Sequence, residues 1–274
     1  MARGQYTWRS FWPAHLHRVN AVAKTNYIEL GRVGKAVRIP ILYEDRSVLA
    51  IDKPVGWLVV PAHWKHTSRN LQAEIESSIA AGVFWAKCRN IKYLRYVHRL
   101  DADTSGVLLF VKSQGAIEPF SRLFELRKVR KLYLAVVHGK PREHAWVCTL
   151  KLRDDAATTG KVIIDQRRGA DAQTNFRLLN TRVDPVLGKV SLIQAEPVTG
   201  RTHQIRVHLA ASGLPVVGDK LYGRAVETLG QSLPQDKFPL GLRAIELAYT
   251  DPFTKQPVRI TASAAEFIKQ FGFA

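Results

Sequence analysis

Cysteine is nearly absent from this chain of 274 residues, which holds Cys88 and Cys148 and no others. Two thiols are too few for a disulfide scaffold or for a zinc site built on thiolates, and they point to a reducing, cytoplasmic setting. Long apolar runs are missing as well: none approaches the roughly 20 residues that cross a bilayer as a helix. No apolar h-region follows the basic N-terminus, so a secretory signal is not expected either. Acidic residues are in short supply, with 23 Asp and Glu against 41 Lys and Arg, which leaves a net charge of +18. A field of this sign concentrates polyanions, nucleic acid first and an acidic membrane surface second.

What is present is an apolar share of 46%, ordinary for a globular protein and enough for one large domain or two modest ones. Met1–Arg38 carries seven Lys or Arg and one acid, Glu29, with Tyr6, Trp8, Phe11 and Trp12 interleaved. It reads as a basic, aromatic extension over 1–38, either an RNA-contacting arm or a segment packed on the main domain. Its acid-poor, Arg-bearing composition also resembles a transit peptide, against which the two tryptophans count. The texture changes at Ile39, so the domain proper is expected over 39–274.

Short β-rich runs, Val48–Ile51 and Trp57–Val60, are broken by polar and Pro-Val-Gly turns. Leu71, Ile75 and Ile79 recur at helical spacing over Leu71–Ala81, with Gly82 as the stop. Val107–Val111 reads as a strand buried on both faces. Pro119–Lys131 reads as a helix with Phe120, Leu123 and Phe124 inward and Arg122, Arg127, Lys128 and Arg130 outside. "KLYLAVVHG" is a strand with Tyr133, Ala135 and Val137 on one face and Leu132, Leu134 and Val136 on the other. Further strands are expected over Lys161–Asp165, Thr174–Leu179 and Lys189–Ala195, and a short helix in "GRTHQIRVHLAASG", closed by Gly213. Without regular βαβ alternation this is an α+β pattern: a mixed, largely antiparallel central sheet with flanking helices.

The stretch "YVHRLDADTSGVLLFVKS", Tyr96–Ser113, crowds an imidazole, a guanidinium, two carboxylates and two hydroxyls in front of an apolar run. Asp101-Ala-Asp103-Thr-Ser105-Gly106 begins like a calcium loop, but the last ligand position holds Lys112 where a bidentate Glu is needed. His203 and His208 are five apart, on different sides of a helix, so they do not form a zinc pair. A serine triad of Ser105, His98 and Asp101 lacks any GxSxG elbow. Asp101 and Asp103 sit too close together in a turn to flank a glycosidic bond from opposite sides. Two readings remain from these residues: a polar turn that starts a strand, and a loop that holds one carboxylate over a substrate.

"HRLDADTSG" (His98–Gly106), followed by "RKLYLAVVHG" (Arg130–Gly139) and "TGRTHQIRVHLAASGLPVVGDKLYG" (Thr199–Gly223), resembles the RluA-type family of RNA pseudouridine synthases. The likeness extends upstream to "LAIDKPVGWLVVP" and downstream to "RAIELAYTDPFTKQPVRI", covering roughly Ile39 to Ile260. It implies the pseudouridine synthase fold, and isomerisation of specific uridines in structured rRNA or tRNA to the C5-glycoside. It also implies no cofactor, no metal and no membrane, with a cytoplasmic monomer as the expected state.

In this family the indispensable aspartate falls on Asp101, which would either attack C1′ or assist departure of uracil. A lone carboxylate suits an isomerase, since no water has to be activated. A carboxylate in a partly dry pocket needs a cation beside it to keep its charge, and by resemblance that cation is Arg206. Tyr133 occupies the place of the tyrosine that packs on the target base. The base must leave its helix, and Arg99, with His98 as the alternative, is expected to fill the gap. Lys53, Arg201 and His203 are expected phosphate or backbone contacts. Thr104 and Ser105 are read as shaping the loop, and Gly106 as allowing a close backbone approach or a positive φ.

Many members of the family carry an N-terminal S4-type RNA-binding module. Met1–Arg38 shows no such pattern, which leaves more of the RNA affinity to the basic surface. Two rival functions remain open: a basic RNA-binding or ribosome-associated protein without catalysis, and a glycosyl hydrolase, which would release free uracil.

Overall fold

A computed structural model describes residues 24–31, 36–60, 69–223 and 238–273. Most of the expected N-terminal arm, 1–23 and 32–35, lies outside the described residues. In chain order the first part runs Tyr27–Leu30 (β1), Val37–Glu44 (β2), Val48–Lys53 (β3), Leu71–Ala80 (α1), Phe84–Lys87 (α2), Arg95–Tyr96 (β4) and Ser105–Val111 (β5). Next come Ile117–Glu125 (α3), Arg130–His138 (β6), Ala145–Cys148 (β7), Leu152–Asp154 (β8), Val162–Ile164 (β9), Thr174–Asp184 (β10) and Gly188–Pro197 (β11). Gln204–Ala211 (α4), Leu242–Thr250 (β12), Pro257–Thr261 (β13) and Ala265–Gln270 (α5) complete the set.

Eleven strands form one sheet in the order β1-β2-β3-β5-β12-β6-β11-β10-β7, with β4 on β5 and β13 on β12; β8 and β9 form a separate small ladder. Every pairing is antiparallel except β5 with β12, where Ser105 meets Arg243 and Gly106 meets Ala244. The α+β, largely antiparallel architecture expected from the sequence is therefore present. The parallel seam divides the sheet into two halves, β1-β2-β3-β5 and β12-β6-β11-β10-β7. Gly106 permits it, with φ +112° and no room for a side chain: a Cβ there would overlap the Ala244 carbonyl. Arg243 ties the same seam from the side, donating to Asp52 (2.6 Å), Ser105 Oγ (3.2 Å) and the Ser263 carbonyl (2.9 Å).

Alternation along β6 places Ala135 and Val137 in a core with Ile193 and Leu209, and Leu134 and Val136 in another with Val190 and Phe267. The strand is covered on both faces, as its apolar run suggested. β5 is buried throughout after its first residue.

Three local expectations are corrected. Trp57–Val60 is not a strand: Leu58 makes a single bridge to Asn70, while Trp57 and Val59 turn into the core beneath α1. The helix expected over Pro119–Lys131 ends at Glu125. Arg127 takes a left-handed φ of 57°, and the Lys128 amide donates back to the Leu123 carbonyl, which closes the helix before β6 begins at Arg130. The domain also begins upstream of Ile39, because Tyr27–Leu30 pairs with Val37–Pro40 and buries Ile28 and Leu30 completely.

Candidate active site

Asp101 lies in the turn that enters β5 at the seam, and its loop is gripped from three sides. The Lys53 ammonium, with none of the residue exposed, donates to the carbonyls of Pro54 (2.9 Å), Ala102 (2.8 Å) and Thr104 (2.8 Å). Burial lowers its pKa to about 8, against the pull of the Asp103 and Asp101 charges. This corrects the expected phosphate contact: Lys53 is enclosed and its three donors are used by carbonyls, two of them in the Asp101 loop. The His98 ring stacks on Phe124 at 4.7 Å, and its Nε2 accepts from the Leu109 amide at 3.0 Å. Nε2 therefore carries no proton, and burial, with the Lys131 charge adding, holds the imidazole neutral with a pKa of about 3. The Asp101 carbonyl accepts from the Thr104 amide (3.2 Å), which closes the turn.

Opposite this loop stands α4, whose approach is set by Gln204. Its side-chain oxygen accepts from Thr199 Oγ1 (2.6 Å) and the Arg201 amide (3.0 Å), and its nitrogen donates to the Gln173 carbonyl and Thr174 Oγ1 (both 2.9 Å). His208 is buried in the same layer between Thr174 Oγ1 (3.0 Å) and the Leu150 carbonyl (2.9 Å).

From the first two turns of α4, Arg206 reaches the aspartate. Its Nη1 donates to Asp101 Oδ2 at 3.2 Å, while Nε and Nη2 hold the two oxygens of fully buried Asp219 at 2.8 Å each. Burial alone would lower the guanidinium's pKa; the hydrogen-bonded Asp219 and then the Asp101 charge reverse this and raise it. Asp219 is occupied further by the amides of Leu221 and Tyr222, so Arg206 is held as a rigid fork with one arm toward Asp101.

His203 stands at the N-terminus of α4 with φ 52°. Its Nδ1 lies within hydrogen-bond distance of the Tyr222 hydroxyl (2.8 Å), which also accepts from the Val162 amide (2.9 Å). Its Nε2 lies 3.7 Å from Asp101 Oδ2. Burial lowers the His203 pKa, partly offset by the Asp101 charge. Arg206 and Tyr222 also stack as cation over ring, at 5.2 Å.

These groups open onto a cleft of about 440 Å³ whose lining includes Asp101, Thr104, Lys131, Tyr133, His203 and Arg206. Tyr133 is half-buried, and burial, with the Asp101 charge adding, raises its phenol above the usual range. Arg99 and Arg201 are exposed at the rim, where Arg99 donates to Thr202 Oγ1 (2.8 Å) and Arg201 to the Asp171 carbonyl (3.1 Å). The structure thus gathers Asp101, Tyr133, Arg206, His203, His98, Arg99 and Arg201 around one cleft and puts Lys53 behind it. Sequence reading missed Asp219, Tyr222, Gln204, Lys131 and Arg243. Among them Asp219 had a visible signal, a single acid at the end of the apolar "LPVVG". Among the described residues no group of three or more His, Cys, Asp or Glu could hold a metal ion, and no helix is long and apolar enough to cross a membrane.

The sequence profile of the family described as RNA pseudouridylate synthase matches residues 47–211. Ribosomal large subunit pseudouridine synthase D of Borreliella burgdorferi is 34% identical over 190 residues, 69% of this chain and 56% of that protein. Ribosomal large subunit pseudouridine synthase C of Escherichia coli is 32% identical over 236 residues, 84% of this chain and 68% of that protein. The chain therefore spans little more than half to two thirds of the length of these relatives. Among solved structures, human RNA pseudouridylate synthase domain containing 1 superposes with a TM-score of 0.64 at 26% identity, covering 82% of this chain and 83% of that one.

Proposed function

The chain belongs to the RNA pseudouridylate synthase family, and from that premise we propose that it isomerises uridine in large-subunit ribosomal RNA to pseudouridine, with Asp101 as the essential group. The choice of ribosomal over transfer RNA rests on the names of its relatives, both ribosomal large subunit pseudouridine synthases. The observation that carries the catalytic reading is one exposed-side carboxylate oxygen, Asp101 Oδ2, held by Arg206 from a buried two-carboxylate fork at the floor of a cleft of nucleoside size.

Isomerisation needs the C1′–N1 bond to open, the base to turn, and C5 to join C1′. Asp101 acts on the sugar side, whether as nucleophile at C1′ or by assisting departure of the base. Arg206 places positive charge against it in surroundings where that interaction is strong. His203 Nε2 faces the same oxygen. The Tyr133 face supports the base, a role suited to a phenol kept protonated by burial. Arg99, exposed at the mouth and tethered through Thr202 to the α4 approach, is placed to enter the stack that the flipped base leaves. The protein acts without a cofactor, as a cytoplasmic monomer.

The test is tritium release from ribosomal and transfer RNA labelled at uridine C5, taken from cells lacking this protein. Release from the ribosomal pool, abolished in Asp101→Asn, is the expected result. RNA binding without release from either pool would favour a non-catalytic RNA-binding protein, and free uracil as product would favour a hydrolase.

A further inference from the structure

Arg99, Arg127, Lys131, Arg201 and Arg206 are the cations along the cleft, and they are not in equivalent positions. Arg206 is matched by two carboxylates. Arg99, Arg127 and Arg201 are exposed at the rim, where water screens them. Lys131 is half-buried in the wall, and its Nζ donates to a neutral acceptor, the Thr199 carbonyl, at 3.0 Å. No carboxylate among the described residues lies within ion-pair distance of it. A sheltered ammonium facing a single carbonyl is costly to hold in the free protein, and packing does not account for it. Lys131 precedes Tyr133 by two on β6, so both side chains leave the same face of the strand. The ammonium thus stands along the wall from the ring expected to carry the base.

We propose that Lys131 is a further catalytic residue, its ammonium donating to a carbonyl oxygen of uracil and stabilising the anion that forms when the glycosidic bond opens. This rests on the uridine-isomerisation reading above. As C1′–N1 breaks, both electrons stay with uracil, and the charge spreads over N1, O2 and O4. The base turns, C5 supplies an electron pair to C1′, the C5 proton then passes to a basic oxygen in the cleft, and N1 takes up a proton from water to give the neutral base. Lys131 keeps its protons throughout: it offsets charge and is not the base. Arg206 cannot take this role, because its charge is already met by Asp219 and Asp101. A donor aimed at developing charge in a site that excludes water contributes far more than the same donor in solution.

The titratable and charged groups that line the cleft with Lys131 are His98, Arg99 and Asp101 from the β5 approach, Glu125 and Arg127 from the end of α3, and Arg201, His203 and Arg206 from α4 and its approach. Burial brings the Lys131 pKa down to about 8, so the charge it supplies is lost just above neutral pH. A rate that depends on it falls through that range. Arginine at the same position keeps its charge there.

The experiment is single-turnover tritium release from C5-labelled ribosomal RNA by wild type, Lys131→Met and Lys131→Arg from neutral to alkaline pH. Filter retention of the same RNA is measured in parallel. Lys131→Met is expected to lower the rate about 10²–10³-fold with RNA retention unchanged. Lys131→Arg is expected to keep most of the rate and to shift the alkaline fall upward. Wild-type rates in Lys131→Met, a loss explained wholly by weaker RNA retention, or an unmoved alkaline fall in Lys131→Arg would each overturn the proposal alone. No release by the wild-type protein would overturn the isomerase reading and this one with it.

Discussion

Burial decides what each cation of this site can do. A lysine near a nucleic-acid cleft ordinarily meets phosphate; Lys53, fully enclosed, instead spends three donors on three carbonyls and fixes the turn that carries Asp101. Nothing in "AIDKPVG" marks that difference, because the acceptors Ala102 and Thr104 come from a distant part of the chain. Arg206 was nameable from its motif, whereas its pairing with Asp219 was not, and that pair determines the geometry. The two carboxylates take three nitrogens of a planar fork, which an ammonium cannot match. Arg206→Lys is therefore expected to fold, yet to release tritium about 10²-fold more slowly; a rate near wild type would show that charge alone suffices. His98 gives a second test. An unfolded histidine titrates near 6.5, whereas in the fold burial holds His98 to about 3. Between those values the unfolded chain binds a proton that the folded chain refuses. Stability from this group is thus complete above about pH 6.5 and declines as the pH falls toward 3. His98→Asn keeps an acceptor for the Leu109 amide but cannot titrate. Its urea-unfolding free energy should fall less steeply in acid, by up to ~1.4 kcal/mol per pH unit, and parallel acid limbs would place the sensitivity elsewhere.

Elements were readable where one local pattern dominated. α1 and α4 carry apolar spacing followed by Gly82 and Gly213, and both end as expected in left-handed glycines. α3 ends the same way on Arg127, a residue that gives no such signal. The run of basic residues Arg127, Lys128 and Arg130 reads as the polar face of a continuing helix, and so lengthened the expected one. Trp57–Val60 failed for the opposite reason, since a β-rich composition reports burial as readily as a strand. Gly106 is the element-scale point on which the site depends, because it allows β5 to approach β12 and so brings the Asp101 turn beside β6 and α4. Alanine there meets both a positive φ and the Ala244 carbonyl. Gly106→Ala is expected to cost at least about 3 kcal/mol in urea unfolding and to remove activity even where folded protein persists. A variant of normal stability would mean that the seam can open without consequence.

At the scale of the whole molecule, the site exists because four distant segments meet at the one parallel seam of an otherwise antiparallel sheet. Asp101 precedes β5, Tyr133 lies on β6, Arg206 on α4, and Asp219 follows it. Three ordered motifs made the first three of these visible together, whereas the layer beneath them is set by contacts that no spacing records. The net charge of +18 was the earliest pointer to RNA, but some of the basic side chains are already matched. Arg130 and Arg259 share Glu246, and Arg89 and Lys112 share Glu44. If long-range charge alone drew RNA in, removing any arginine would matter equally. If contacts at the cleft dominate, Arg127 and Arg201, exposed on its rim, would matter and Arg259 would not. Each phosphate contact on single-stranded RNA contributes about 0.7 to the slope of log affinity against log salt. The Arg127→Ala, Arg201→Ala double variant is therefore expected to flatten that slope by about 1.4, while Arg259→Gln leaves it unchanged. Filter binding across a salt series measures both, and equal flattening in the two variants would show that RNA is held by the summed field and not at the cleft.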